Sequence, residues 1–494
     1  MAKILSSHQS VSELTPEFLR GWSLEGVEAK PADKHAPVIL KILCAALDTP
    51  RALEQNKKKS NHTACYTILA QIVSRRSQYA PDFTGPMSLM WWASGCSREA
   101  IEILNNIGLS KSFDTTQLLI KSTGNYCIQA AHLLAHGPDG HLLGYDNVNL
   151  STSIFVEQRS SGSTPAKVQS GTYAILYRLR NPNPRALELE PILLRAQNAT
   201  DLDFNNDLCP SLEQSQKAHH QFCSYVIRVL SRYEGAFKGR RNDPDLQSPP
   251  RRPLPDGYKT AQFPLKICTR EEGLIKGNLA VHVEIYINQL GLTYPQLTRA
   301  LGIGLFHLCL NLVWAVLNVH RGHVNHHGTL AHLFVIIEKT RLGGQHPDYH
   351  SLLAALMQIL DGLLLDAWRI ECGFNTLAEY AAMNPSAADL RLKAATILYN
   401  HGTPTRSPSK SNGAADTVRE NSKRLIHDLM YVCEVTRAIS ATDFGRVEDI
   451  LTTLGMMFRG AGSKNYSTEI MHFTHNMKKI WDVNGFEGFN SSLP

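Results

Sequence analysis

Strand patterning is confined to one short region of this 494-residue chain, and that limits the fold more than any single motif does. Leu142 to Val148 is an apolar run with strand character. Gly171-Thr-Tyr-Ala-Ile-Leu-Tyr-Arg-Leu179 is rich in the aromatic and branched side chains that suit a pleated surface. Nearly everywhere else apolar residues recur at helical spacing. The expected fold is mixed α/β, predominantly helical, with a small sheet core and a large helical insertion. Residues 1–86 read as an N-terminal helical region, and 87–237 as an α/β region holding the first strand and Asp146. A Pro/Arg-rich stretch, 238–260, reads as a linker, since no apolar spacing there could build a core. Residues 261–401 read as helical, 402–416 as a second linker and 417–494 as C-terminal helices.

A chain of this length calls for two or three domains, and 43% hydrophobic residues are enough to bury them. The formal net charge of +6 permits a polyanionic partner without demanding one. Ten cysteines, none in a Cys-x-x-Cys pair, point away from a zinc ribbon and toward reduced, buried thiols. The N-terminal Met-Ala-Lys-Ile-Leu-Ser-Ser-His has no apolar signal region, so an intracellular protein is expected. The basic clusters at 238–241 and 251–252 also fit a nuclear-import signal. Leu301 to Val319 has the length of a bilayer crossing, but His307, Asn311 and Asn318 share one helical face. It reads as a buried core helix, with no membrane association expected.

His141-Leu-Leu-Gly-Tyr-Asp-Asn-Val-Asn149 places Asp146 at the C-terminal end of the first strand, beside Asn147 and Asn149. A carboxylate there suits a metal site, although Asp-Asn after a strand is also ordinary turn chemistry. Other blocks accompany it: Trp92-Ala-Ser-Gly-Cys-Ser-Arg98 with Gly108 to Phe113, Gly277-Asn278 through Gln289-Leu-Gly-Leu292, and Gly304-Leu-Phe-His-Leu-Cys-Leu-Asn311. The last is Asp443-Phe-Gly-Arg-Val-Glu448, followed by Phe458 and Lys464-Asn-Tyr466. In this order, from about Met87 to Trp481, they resemble an uncharacterised fungal family, domain-of-unknown-function family six-five-eight-nine, which is linked with mobile elements. The resemblance implies a transposase-like protein with a small RNase H-like sheet core. It also implies a Gly-Asp-Gln-Leu-Thr segment between the Gly277 and Gly304 blocks. This chain has no aspartate or glutamate between Glu284 and Glu338, so that segment reads as deleted.

Two-metal phosphoryl transfer needs carboxylates converging on Mg²⁺ or Mn²⁺. Asp146, Asp443 and Glu448 are the candidates, with Asn147, His307, Asn311 and Tyr466 associated through their blocks. Each also has a plainer reading. Asp443 suits a helix N-cap in contact with Arg446, Glu448 a solvated helix residue, and His307 a core histidine partnered by Asn311. With an acidic segment missing, the chain is expected to be DNA-associated but catalytically impaired. Lys57, Lys58, Lys59, Arg240, Arg241, Arg251 and Arg252 would supply phosphate contacts. Two alternatives stay open: a helical interaction scaffold without a nucleic-acid role, and an active nuclease that recruits Glu284, Asp361 or Asp366. A homo-oligomer is compatible with all three. His320-x-x-His323-x-x-His326-His327, with His332 beyond, has the donors of a metal site, but Gly322 and Gly328 favour a solvated loop.

Overall fold

The computed structural model describes residues 10–24, 36–47, 61–151, 168–180, 188–270, 275–293, 304–404 and 417–481. Two units divide the chain: Met1–Arg178 with Ala261–Leu297, and Leu179–Thr260 with Thr298–Pro494. The helices that carry the packing are, in chain order, α1 (Phe113–His136), α2 (Leu212–Tyr233), α3 (Ile275–His282), α4 (Leu305–His320), α5 (Tyr349–Glu371), α6 (Ala387–Gly402), α7 (Thr417–Ser440), α8 (Phe444–Gly460) and α9 (Lys464–His475). The chain is predominantly helical, with one small sheet among the described residues.

That sheet belongs to the first unit. It is antiparallel, in the order β1 (His141–Ser151), β2 (Val168–Arg178), β3 (Gln262–Pro264). Side chains alternate between faces along a strand. Leu143 and Tyr145 therefore face the same way as their cross-strand partners Leu176 and Ala174. All four pack on a core that includes Ala131 and Leu134 of α1 and Val281 of α3. Gly171 is required where the chain after β3 returns: a Cβ there would lie 2.9 Å from the Cys268 carbonyl oxygen, while Thr172 N–H donates to that oxygen at 2.8 Å.

The expected strand is present, but two details differ. β1 continues past Asp146 to Ser151, because β2 pairs with it along its whole length, so Asp146 stands mid-strand. β1 is also an outer strand and β2 the central one, and no fourth strand joins them among the described residues.

The second unit buries one large core built from α2 and α4 to α9. Trp368 of α5 is fully buried, and its indole N–H donates to the Val226 carbonyl at 3.0 Å. Leu308, Leu312 and Val316 sit in the same core, so residues 305–319 of the apolar run form a buried helix; 301–303 lie outside the described residues. By length and composition alone α5 could cross a membrane; its midpoint carries the buried Asp361 and its apolar face is packed against α2, α6 and α7. Residues 238–260, expected as a linker, are instead fixed within this unit. Leu246 is buried, Gln221 donates to the Pro249 carbonyl at 2.7 Å, and Leu254 N–H donates to the Thr442 carbonyl at 3.2 Å. Of the second expected linker, 405–416 lie outside the described residues.

Candidate functional site

Asp146 lies on the face of β1 opposite the core, across from Tyr173, and is exposed like Asn147. Its Oδ1 accepts the Asn147 backbone N–H at 2.8 Å. The preceding residue turns inward. The Tyr145 hydroxyl donates to Asn278 Oδ1 at 2.8 Å and lies 3.2 Å from His282 Nε2, with the two rings edge-on at 5.4 Å. His282 stacks on Tyr286 at 5.8 Å. The sequence blocks around Tyr145 and Asn278 thus meet against one sheet face. α3 runs directly into a π-helical turn, Val283–Gln289, a form that is rare and concentrated at functional sites. Glu284 sits in that turn and accepts the Asn288 side chain at 2.8 Å. His141 is held below its ordinary value by burial.

Asp443 and Glu448 belong to the second unit, and both carboxylates are already engaged. Asp443 is 2% exposed; its Oδ2 accepts the backbone N–H of Arg251 at 2.7 Å and its Oδ1 that of Arg252 at 2.8 Å. Glu448 pairs with the Arg252 guanidinium. Arg251 forks onto Asp449 at 2.8 and 3.2 Å, and that hydrogen-bonded pairing raises its guanidinium above the ordinary value. Gly445 admits this segment, since a Cβ there would meet Arg251 Cβ at 2.9 Å. Asp443 does precede α8, but its side chain makes no capping bond. The expected contact with Arg446 is only a backbone one, Arg446 N–H to the Asp443 carbonyl at 3.2 Å. The Arg446 guanidinium goes instead to Glu434, both bonds 2.7 Å, in a pair that is almost wholly buried. Burial raises the Glu434 carboxyl despite the pull of Arg446.

The other expected residues have similarly local occupations. His307 and Asn311 are half-buried on α4, and Asn311 donates to the His307 carbonyl at 2.9 Å rather than to its ring. Tyr466 stacks on Phe458 at 5.2 Å. Asp366 pairs with Arg369 on the helix surface. In the histidine run, His320 Nε2 meets Asp428 at 2.7 Å, and His327 Nδ1 meets His332 Nε2 at 3.0 Å. Among the described residues, no group of three or more His, Cys, Asp or Glu side chains is placed to hold a metal ion. Of the expected phosphate contacts, Arg240 is tied to Asp243 and to the Pro385 carbonyl, both at 3.0 Å. Arg251 and Arg252 are paired as above, Arg241 is exposed, and Lys57, Lys58 and Lys59 lie outside the described residues.

Asp361, named from the sequence only as an acid that an active nuclease could recruit, centres a polar cluster beneath the surface of α2 whose other members sequence reasoning missed. Asp361, buried in α5, accepts from the Tyr225 hydroxyl at 2.6 Å, from Tyr233 at 2.8 Å and from Arg232 at 3.1 Å. Its one sequence signal was an aspartate in the middle of an apolar helix.

The family described as a family of unknown function, DUF6589, matches residues 197–303 and 296–484. The chain belongs to that family. The match spans the second unit's helical core and the Asn278, His307, Asp443 and Glu448 blocks, whereas the blocks at Trp92 and Asp146 precede it. No curated protein and no solved structure matches the chain.

Proposed function

We propose that this family member is a mobile-element-derived, transposase-like protein of the cell interior that associates with DNA and no longer cuts it. The observation that carries the proposal is the engagement of Asp443 and Glu448 by Arg251 and Arg252. A two-metal centre needs converging carboxylates whose lone pairs are open to Mg²⁺ or Mn²⁺. Carboxylates already committed to backbone N–H groups and a guanidinium are poor ligands. The substitutes considered for the missing acid are engaged as well: Asp361 by two tyrosines and Arg232, Glu284 by the Asn288 side chain, and Asp366 by a solvent-exposed pairing with Arg369. The lineage part of the proposal rests on membership of the family and on β1, the strand that carries Asp146, packing through Tyr145 on the Asn278 block. The match runs in two pieces that overlap at 296–303, within the interval from Leu292 to Gly304 where the proposal places the loss of an acidic segment. The small antiparallel sheet is what such a reading would retain of an RNase H-like core.

The test is a titration of labelled oligonucleotide with purified protein across a salt series. Binding that weakens steeply with salt, with little dependence on base sequence, is expected from phosphate contacts. No binding at low salt would remove the nucleic-acid role and leave a helical interaction scaffold.

A further inference from the structure

We infer that the surface formed by Arg228, Arg232, Tyr233, Arg241 and Arg437 is a binding site for single-stranded nucleic acid. Arg228 and Arg232 are one helical turn apart on α2 and both exposed. Arg241 follows the short helix Gly235–Arg240 that packs on α2, and Arg437 reaches in from the last turn of α7. The Arg437 guanidinium lies 5.3 Å from the centre of the Tyr225 ring and donates to Ser248 Oγ at 3.0 Å, while its second terminal nitrogen is buried without a hydrogen-bond partner. Burial first, then the charges of Arg437, Arg232 and Arg241, pull the Arg228 guanidinium below its ordinary value, so these cations share one field.

The only carboxylate paired with any of them, among the described residues, is Asp361, which takes Arg232 from below. Glu434 lies within the field of Arg437 but is occupied by Arg446. Burial works against Arg232, but Tyr233 and Asp361 hold its guanidinium above the ordinary value, so the excess of positive charge falls on Arg228 and its neighbours Arg241 and Arg437, which have no carboxylate partner among the described residues. Such an excess costs stability through mutual repulsion and is relieved by an anion.

The aromatic neighbour decides the kind of anion. Tyr233 is 53% exposed, its hydroxyl is anchored on Asp361, and the Arg232 guanidinium lies 5.8 Å from its ring centre. A rigidly held, exposed ring beside a row of arginines suits a strand whose bases are free to stack while its phosphates meet the cations. A duplex offers the phosphates but keeps its bases stacked on one another.

The inference rests on the proposed nucleic-acid role and names where it resides. It is tested with the full chain and a labelled single-stranded oligonucleotide, comparing wild type with three variants. In the cluster variant, Arg228→Gln with Arg241→Gln, both positions are exposed and neither side chain has a carboxylate partner, so folding should survive; a thermal melt checks this. The control, Arg341→Gln with Arg459→Gln, removes equal charge elsewhere on the same unit. The third is Tyr233→Leu.

The cluster variant should bind about tenfold or more weakly, with its log–log salt slope reduced by roughly 1.4, two phosphate contacts at ~0.7 each. The control should stay close to wild type. Tyr233→Leu should lose the preference for single strand over duplex while keeping the salt slope. Equal losses in cluster and control variants would overturn the site and leave the nucleic-acid role standing. Displacement of the oligonucleotide by polyglutamate at matched charge would overturn it in favour of an acidic peptide. Absence of wild-type binding at low salt would overturn the underlying role itself.

Discussion

Replacing Asp443 by alanine tests whether that carboxylate is structural. Its two oxygens accept the backbone N–H groups of Arg251 and Arg252 at 2.7 and 2.8 Å, and the residue is 2% exposed. Hydrogen bonds to a charged group contribute about 1.5–3 kcal/mol each, and a donor left unsatisfied adds its own penalty. Arg251 and Arg252 are themselves half-buried, so water can repair part of the loss. A destabilisation of roughly 3–5 kcal/mol follows. For a unit of this size each kcal/mol lowers the melting temperature by about 2–4 °C, which gives a drop of roughly 10 °C. Asp443→Asn keeps the shape but sets an amide N–H donor against one of the two backbone N–H groups, so it should lose nearly as much. Gly445→Val should act in the same direction by pushing the Arg251–Arg252 segment off α8, since even a Cβ meets Arg251 at 2.9 Å. The assay is calorimetry or circular dichroism on the full chain, with metal and with chelator. An Asp443→Ala protein melting within about 1 °C of wild type, together with a metal-dependent melting shift seen only in wild type, would refute the structural assignment.

Two further outcomes follow from groups held away from their ordinary ionisation. Burial pushes the thiols of Cys223, Cys309 and Cys433 up, to about 11, 12 and 12, so a thiol-directed maleimide should spare all three until the protein unfolds; mass spectrometry of the labelled native chain checks this. Burial alone would raise the Asp428 carboxyl, but hydrogen bonds and charge from His320 and His427 hold it below the ordinary carboxylate value. Its stabilising contribution is therefore complete at neutral pH and is lost as pH falls through that lowered value. Asp428→Asn should melt lower than wild type near neutral pH and lose less on acidification, as a melting series from about pH 7 to about pH 3 would record.

The sheet was legible in the sequence where pattern is local. Both long strands were found, β1 from its apolar run and β2 from its cluster of branched and aromatic residues, but their pairing was not. Asp146 looked like a strand end because polar residues follow it, whereas β2 keeps those residues extended as far as Ser151. β3 is three residues ending in proline, too short to carry any period. Residues 238–260 looked like a connector because they lack apolar spacing. What fixes them is a set of bonds to residues distant in the chain, the farthest of those near Arg251 about two hundred positions away: Asp443 lies 192 residues beyond Arg251. No local pattern carries such a pairing, and for the same reason Arg251 and Arg252 looked available to phosphate when they are held by Asp449 and Glu448. The buried helix α4 was legible because its polar residues recur at helical spacing while the rest is apolar. The Asp361 cluster was not, since Tyr225, Arg232 and Tyr233 are brought to it only by packing of α2 on α5.

The central claim is that the protein associates with DNA and does not cut it. The most direct measurement incubates the full chain with labelled single-stranded and duplex DNA in Mg²⁺ or Mn²⁺, beside Asp146→Ala, and follows both binding and strand breakage. The account predicts salt-sensitive binding by both proteins and no breakage above the metal-only control. Robust nicking by wild type that disappears in Asp146→Ala would contradict it, because a functioning metal centre would then have assembled around that residue.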